Sequence, residues 1–402
     1  MTRSAPRASR DVPHVLIVGG GGTGGALAHD LTLRGIRITL VERGEFTSGT
    51  TGRHHGLLHS GARYAVNDRE SAIECIEENA ILRAICPGSF EENDGLFVAL
   101  TDEDMEYYDD FVEACKACGI PIEELGPQEA LRMEPLLNPD LKAAVRVPDA
   151  TMDAMRMPLR FFATAKHGGA TLHNFMEVLD LVVDAGAVTG VTVRDHVTGS
   201  EGDIHADLVV NATGPWSEKI AHMAGADVPI SPSPGVMLAL HGRLCNMVVN
   251  RMHRSGDGDI VVPQRALSVV GTSSWTVEDP DEFDVPQDHV ARMRVEGAKL
   301  IPAVAQAGFR AAWSAARPLI GAKDADSGRE LSRTFKTIDH AGDGVEGFVT
   351  ITGGKATTLR GMAELCGDVI CRKLGVDAPC STRNVTTLPH TAFYAETERR
   401  LA

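Results

Sequence analysis

The chain has 402 residues, and its 39 Lys and Arg stand against 55 Asp and Glu, a formal net charge of −16. That length exceeds one ordinary core and predicts two domains, or one large α/β domain with a sizeable insertion. With 43% hydrophobic and 23% charged residues the composition excludes disorder, collagen and coiled coil as the main architecture, and the acidic balance argues against a nucleic-acid binder, which needs a basic face to displace counterions.

An anionic substrate must therefore be drawn in by a local cluster of Arg and Lys. The first dozen residues, MTRSAPRASRDV, carry Arg3, Arg7 and Arg10 but lack the apolar core of a secretory signal, so they read as a frayed tail. No run of about 18 apolar residues offers a membrane span. The expected location is the cytoplasm.

Residues 14–18, HVLIV, form an apolar run that predicts a buried parallel strand. GGGGTG follows at once, with Gly19, Gly21 and Gly24 in the GxGxxG positions, and GALAHDLTLRG then carries helical spacing up to a capping Gly35. A second strand, RITLVE, ends in Glu42. Glycines allow a tight turn and close backbone approach, the helix N-terminus offers free N–H groups to a pyrophosphate, and a terminal carboxylate suits a ribose diol. Strand, glycine turn, helix, strand and acid in this order predict a dinucleotide site.

TSGTTGRHHGLLHSGARY, residues 47–64, combines His54, His55 and His59 with Arg53 and Arg63 among small residues. It reads as a loop wrapped around an anionic ligand. Zinc is disfavoured because no Cys or carboxylate lies in the loop to complete a site. The eight cysteines are scattered, so reduced thiols are expected, and Cys115 and Cys118 read as helical neighbours rather than a metal or redox pair.

Further on, DLVVNATGPWSEKIA predicts a strand running into Ala212-Thr213-Gly214 and a helix, and residues 232–275 alternate short strands and turns. A helix is expected to begin near Asp288. Strand 347–352, the Gly353-Gly354-Lys355 turn and a long amphipathic helix close the pattern. These returns are similar to flavoproteins of the glutathione-reductase and amino-acid-oxidase type and favour FAD over NAD. The last helix would point its N-terminus at the flavin pyrimidine, where negative charge builds on reduction.

The glycine turn, TGRHHGLLHSGARY, VPDATMDAMRM, VVNATGPW, ARPLIG and TITGGKATTLR together resemble the FAD-dependent glycerol-3-phosphate dehydrogenases, and most nearly the large subunit of the anaerobic enzyme, over about residues 14–385. The resemblance implies a Rossmann-like, α/β FAD-binding domain with an antiparallel-sheet substrate domain, non-covalent FAD, and oxidation of sn-glycerol 3-phosphate to dihydroxyacetone phosphate. It places the FAD domain at 1–85, 145–225 and 318–402, and the substrate domain at 86–144 and 226–317. FAD contacts are implied at Gly19, Gly21, Gly24, Glu42, Arg43, Thr51, His55, Gly56, Val178, Ala212, Gly214, Trp216, Gly353 and Gly354.

The family's substrate contacts fall on Arg63, Arg317 and Lys355. Arg suits phosphate oxygens with a planar fork, and Lys supplies a compact charge. His59 is the candidate base for the hydroxyl proton, with His54 and His55 behind it and Lys355 or a water as alternatives. Arg317 and Lys355 would also face charge developing on the flavin.

Two departures stand out. In PISPSPGVMLAL this chain has Pro234 and Met237 where related dehydrogenases commonly carry a Lys and some a nearby His, and it ends at Ala402 without the cysteine-rich iron–sulphur domain of the anaerobic large subunit. Electrons are then expected to leave for a quinone, for partner subunits with iron–sulphur clusters, or for oxygen. Peripheral placement at the inner face of the cell membrane would come through such partners, and a homo-oligomer is left open. A flavin-dependent 2-hydroxy-acid dehydrogenase or oxidase of the L-2-hydroxyglutarate type is the competing reading. Arg63 discriminates, since an extra cation suits a dianionic phosphate better than a carboxylate.

Overall fold

The apolar run after the amino-terminal segment forms the strand His14–Val18, whose last four residues are buried. Its neighbours pair in parallel register, Val15 opposite Ile38 on one side and opposite Leu208 on the other. The computed structural model describes residues 12–321 and 334–395. Residues 1–11 of the expected frayed tail lie outside them.

Six strands make the first sheet, in the order Phe335–Asp339, Phe348–Gly353, Leu208–Asn211, His14–Val18, Arg37–Val41 and Thr171–His173. All pairs are parallel except the first. Strands buried on both faces need covering on both. Val15, Ile17, Ile38 and Leu40 pack under the helices Gly22–Leu33, Arg156–His167 and Leu359–Leu374. Leu16, Val18 and Val41 face the other way, against the small antiparallel sheet of Met176–Asp184, Ala187–Asp195 and Glu201–His205.

The glycine-turn helix ends as its sequence requires. Gly35 adopts φ +77°, and the Ile36 N–H donates to the Leu31 carbonyl at 3.1 Å. Gly25, one residue beyond the motif, is set by packing: a Cβ there would stand 2.8 Å from the Phe162 ring. Arg34 buries its guanidinium against Asp30 at 2.8 Å and Asp368 at 2.7 Å, tying this helix to Leu359–Leu374.

Eight strands make the second sheet, from Phe309–Ile320 and Ile230–His241 at one edge to Ala143–Val147 and Glu123–Leu125 at the other. It is antiparallel except where Val248–Arg251 runs parallel to Gly95–Ala99. The helix Gln287–Leu300 covers one face through Met293 and Leu300. The long strand Ile230–His241, expected as shorter pieces, is buried along all but its last residue and carries Pro232 and Pro234. Both prolines pair toward Phe309–Ile320, opposite Pro318 and Ala316.

Cys115 and Cys118 are buried against Phe111 and Ile120, and all eight cysteines are free thiols. Among the described residues no helix is long and apolar enough to cross a membrane.

Candidate active site

Between the two sheets lies a cavity of about 1760 Å³, lined from both. Pockets for small ligands run to roughly 300–1,000 Å³, so the space exceeds one such ligand. Every substrate-contact candidate borders it: His55, His59, Arg63, Arg317 and Lys355.

At one end the glycine turn makes a floor that only glycine can form. Gly19 has φ +110°, and a Cβ would meet the Ala212 carbonyl oxygen at 2.6 Å; one on Gly24 would meet the Gly19 carbonyl oxygen at 2.0 Å. Thr51 Oγ1 accepts the Gly22 N–H at 2.9 Å. Glu42 accepts the Gly20 N–H at 2.7 Å on one oxygen and the Gly44 N–H at 2.8 Å on the other. Each carboxylate oxygen keeps acceptor capacity for a diol, and the same bonds fix the two loops that frame it.

Val178 and Met176 close the wall on the small-sheet side, and Ala212, Thr213 and Gly214 (φ +59°) line the opposite side. The Arg43 guanidinium stacks 4.6 Å over the Trp216 ring and pairs with Asp281 at 2.6 Å. Lys219 joins from the neighbouring helix, 2.7 Å from Asp279 and 3.1 Å from Asp281. Against burial that would raise it, Asp281 is held at about 2 by Arg43 and Lys219. This cradle fits a dinucleotide: its backbone leaves no room for Cβ atoms, and a helix N-terminus opens onto the space.

The loop 47–64 crosses the middle of the cavity and is pinned along its length. Thr50 Oγ1 donates to the Ala316 carbonyl at 2.5 Å, and Trp313 Nε1 donates to the Arg53 carbonyl at 2.7 Å. Gln264 Nε2 donates to the His55 carbonyl at 3.0 Å, and its position leaves a Cβ on Gly56 only 1.9 Å away. Buried Asp149 accepts the Ser60 N–H at 2.7 Å, and Thr357 Oγ1 accepts the His59 N–H at 3.1 Å. The three imidazoles form a file, His54 to His55 at 6.2 Å and His55 to His59 at 6.1 Å.

Burial, then neighbouring positive charge, keeps these rings neutral. Burial lowers His54 to about 4; burial with His54, Arg63 and Arg317 lowers His55 to about 3. His59 is driven well below its ordinary value by burial and by His55, Arg63 and Lys355. These charges converge on the histidines although the residues are far apart in sequence. Among the described residues no group of three or more His, Cys, Asp or Glu has the geometry to hold a metal.

The three cations differ in what already holds them. Arg63 is buried and forms an ion pair with buried Asp259, which keeps its pKa raised in spite of burial. Its other terminal nitrogen, Nη1, is buried with no hydrogen-bond partner among the described residues. Lys355 lies 5.1 Å over the Tyr64 ring and 3.9 Å from Glu74. Arg317 donates from Nε to the Ser233 carbonyl at 3.0 Å, and from Nη2 to the Pro234 and Ser273 carbonyls at 3.0 and 2.9 Å. Much of its fork is thus committed to the strand that carries Pro234. Gly353 and Gly354, at φ +86° and +74°, bring Lys355 round; a Cβ on Gly354 would stand 2.3 Å from Met362 Sδ.

Sequence reasoning missed the groups that hold the named ones. Asp259, Gln264 and Thr357 fix Arg63, His55 and His59, and Asp149 fixes Ser60 beside His59, each from a distant segment. Asp149 and Thr357 lie inside the motifs VPDATMDAMRM and TITGGKATTLR, and Asp259 closes the turn GDGD, but nothing in the sequence marked Gln264.

Residues 14–360 match the family described as FAD dependent oxidoreductase. The chain is 43% identical over 389 residues to a component of the anaerobic glycerol-3-phosphate dehydrogenase of Escherichia coli (strain K12), covering 96% of this chain and 72% of that one. Among solved structures it is similar to the glycerol-3-phosphate dehydrogenase of Bacillus halodurans complexed with FAD, at 25% identity and a TM-score of 0.73, covering 98% of this chain and 72% of that one. Glycine oxidase of Geobacillus kaustophilus, at 21% identity and a TM-score of 0.73 over 94% of this chain and 99% of its own, shares the fold.

Proposed function

Because the chain belongs to the FAD-dependent oxidoreductases, within the glycerol-3-phosphate dehydrogenases, we propose that its cavity binds FAD and sn-glycerol 3-phosphate and oxidises the latter to dihydroxyacetone phosphate. The observation that carries the substrate assignment is the unpartnered, buried Nη1 of Arg63 in the cavity wall. A buried guanidinium nitrogen without an acceptor is costly. A phosphate oxygen would satisfy it, with Lys355 completing the charge match.

FAD, when bound, supplies the acceptor for the hydride that leaves the substrate's secondary carbon. Gly19, Gly21 and Thr51 would hold its pyrophosphate end, with Gly24 behind them packed on the Gly19 carbonyl rather than on the cavity, Glu42 and Val178 its ribose and adenine side, and Arg43 with Trp216 the outer edge. His55, Gly353 and Gly354 border the space toward the reacting end, Ala212 and Gly214 line it beside the glycine turn, and Gly56 lies behind the cavity wall against Gln264.

His59 is the base in this reading. A neutral imidazole can take the hydroxyl proton on a ring nitrogen, and the nearby cations Arg63 and Lys355 disfavour its charged form until a dianion arrives to balance them. Arg317 stiffens the wall beside His55 through its bonds to the Ser233, Pro234 and Ser273 carbonyls. Its positive charge also faces the reacting end. Electrons then pass to a quinone or to partner subunits; the Escherichia coli relative, being one component of a larger enzyme, supports such a route.

Anaerobic bleaching of the bound flavin tests the assignment, with sn-glycerol 3-phosphate, glycerol and L-2-hydroxyglutarate titrated in parallel. Bleaching by the phosphate ester alone is expected. Bleaching by the hydroxy acid alone would assign Arg63 and Lys355 to carboxylates instead.

A further inference from the structure

The turn between the strands Val248–Arg251 and Ile260–Gln264 closes the Arg63 end of the cavity. From Arg251 to Asp259 it carries five ionisable side chains, and four are engaged within the protein. Arg251 lies 3.2 Å from Asp104, and Asp257 lies 2.7 Å from Arg292. Asp259 holds Arg63, and His253 stands 3.7 Å from Asp259. The turn is also pinned from inside, since Asp259 accepts the Gly256 N–H at 2.7 Å and Gly258 sits at φ +66°.

Arg254 is the fifth. It is exposed, it lines the cavity, and it forms no ion pair among the described residues. Its charge and that of Arg63 both act on the Tyr107 phenol, opposing the upward push of burial, so the two guanidiniums serve the same end of the cavity. On a chain of net charge −16, an exposed guanidinium on the cavity wall offers an approaching dianion a local attraction against the overall repulsion.

We propose that Arg254 is the recruiting and specificity-determining residue for the phosphate group, capturing the dianion at the mouth before Arg63 and Lys355 take it inside. This rests on reading the site as one for a phosphate ester. An exposed guanidinium at the mouth does not touch the reacting atoms, so its effect falls on encounter rather than on chemistry. Steering of this kind raises association rates and weakens with ionic strength.

The experiment is stopped-flow anaerobic reduction of the flavin in the holoenzyme, comparing the parent with Arg254→Gln and Arg254→Lys. For Arg254→Gln the second-order rate constant with sn-glycerol 3-phosphate should fall about tenfold at low salt, and the gap should close toward about 1 M salt, where the screening length is about 3 Å. The limiting reduction rate, FAD content and melting temperature should hold, and Arg254→Lys should restore most of the loss. An Arg254→Gln variant as fast as the parent at low salt would overturn the proposal. So would a loss confined to the limiting rate and indifferent to salt, because that places Arg254 at the reacting atoms. If the parent itself is reduced by L-2-hydroxyglutarate and not by the phosphate ester, the reading of the site fails first, whatever the variants do.

Discussion

At the scale of one residue, the proposed chemistry rests on His59. Its imidazole has lost its usual preference for a proton through burial and through His55, Arg63 and Lys355. The neutral form, which the proposed role as base requires, therefore persists below the ordinary histidine value. In the substrate-free enzyme the His59 ring should stay neutral from about pH 7.5 down to about pH 5.5, where a solvent-exposed imidazole of pKa about 6.5 would already be mostly charged. Histidine NMR titration of the parent against His59→Asn checks this; a His59 midpoint near 6.5 would overturn it. His59→Asn should lower the limiting rate by about 10²–10⁴-fold while the dissociation constant for dihydroxyacetone phosphate changes little, which calorimetry can read. The histidine-rich loop stood out in the sequence, and it does line the cavity. The roles within it were not, because burial and three converging charges set them.

At the scale of elements, the site depends on how the helix Leu359–Leu374 is seated, since Lys355 lies just before it. Arg360 is fully buried and forms an ion pair with Glu78 of the helix Arg69–Ile85, with Glu364 at 2.6 Å and Thr382 Oγ1 at 2.9 Å completing its partners. Removing one member of a buried pair leaves an uncompensated charge, at a cost of about 3–5 kcal/mol. Arg360→Ala should lose roughly that much in urea unfolding, and Arg360→Lys should recover only part, because one ammonium cannot replace a fork with three partners. The sequence showed the helix but not the pair: Arg360 lies on an amphipathic pattern where a long charged residue reads as a solvated face. The glycine turn is the contrary case. Gly19 and Gly24 are required by contacts with backbone atoms, and those follow directly from the strand–turn–helix order.

At the scale of the molecule, the two sheets are joined over the outer end of the cavity by side chains from both. Arg43 and Lys219 belong to the nucleotide-binding half, while Asp279 and Asp281 sit on the connection between the strand Leu267–Gly271 and the helix Gln287–Leu300. These pairs are partly exposed, so each contributes only about 0–1 kcal/mol to folding. Their position matters more, since they strap the Arg43–Trp216 stack at the cavity edge. Asp281→Asn should leave the melting temperature within a few degrees of the parent yet speed FAD release several-fold, followed by the rise of free-flavin fluorescence on dilution. An unchanged release rate would reduce the strap to a surface feature.

The amino-acid sequence by itself determined the dinucleotide-binding order of elements and the α/β class, and it singled out the loop that lines the cavity, because these follow from local periodicity, from backbone positions that only glycine fills and from an unusual cluster of His and Arg. Its likeness to a known family extended this to cofactor and chemistry. Which cations remain available to a substrate was decided only by the tertiary structure. Arg63, Arg317 and Lys355 look alike as isolated cations, but Asp259, the carbonyls of Ser233, Pro234 and Ser273, and Tyr64 with Glu74 hold them differently. Those partners come from strands and turns distant in the chain. The charge a site can offer is what remains after its neighbours are satisfied, and neighbours are fixed only when the chain has folded.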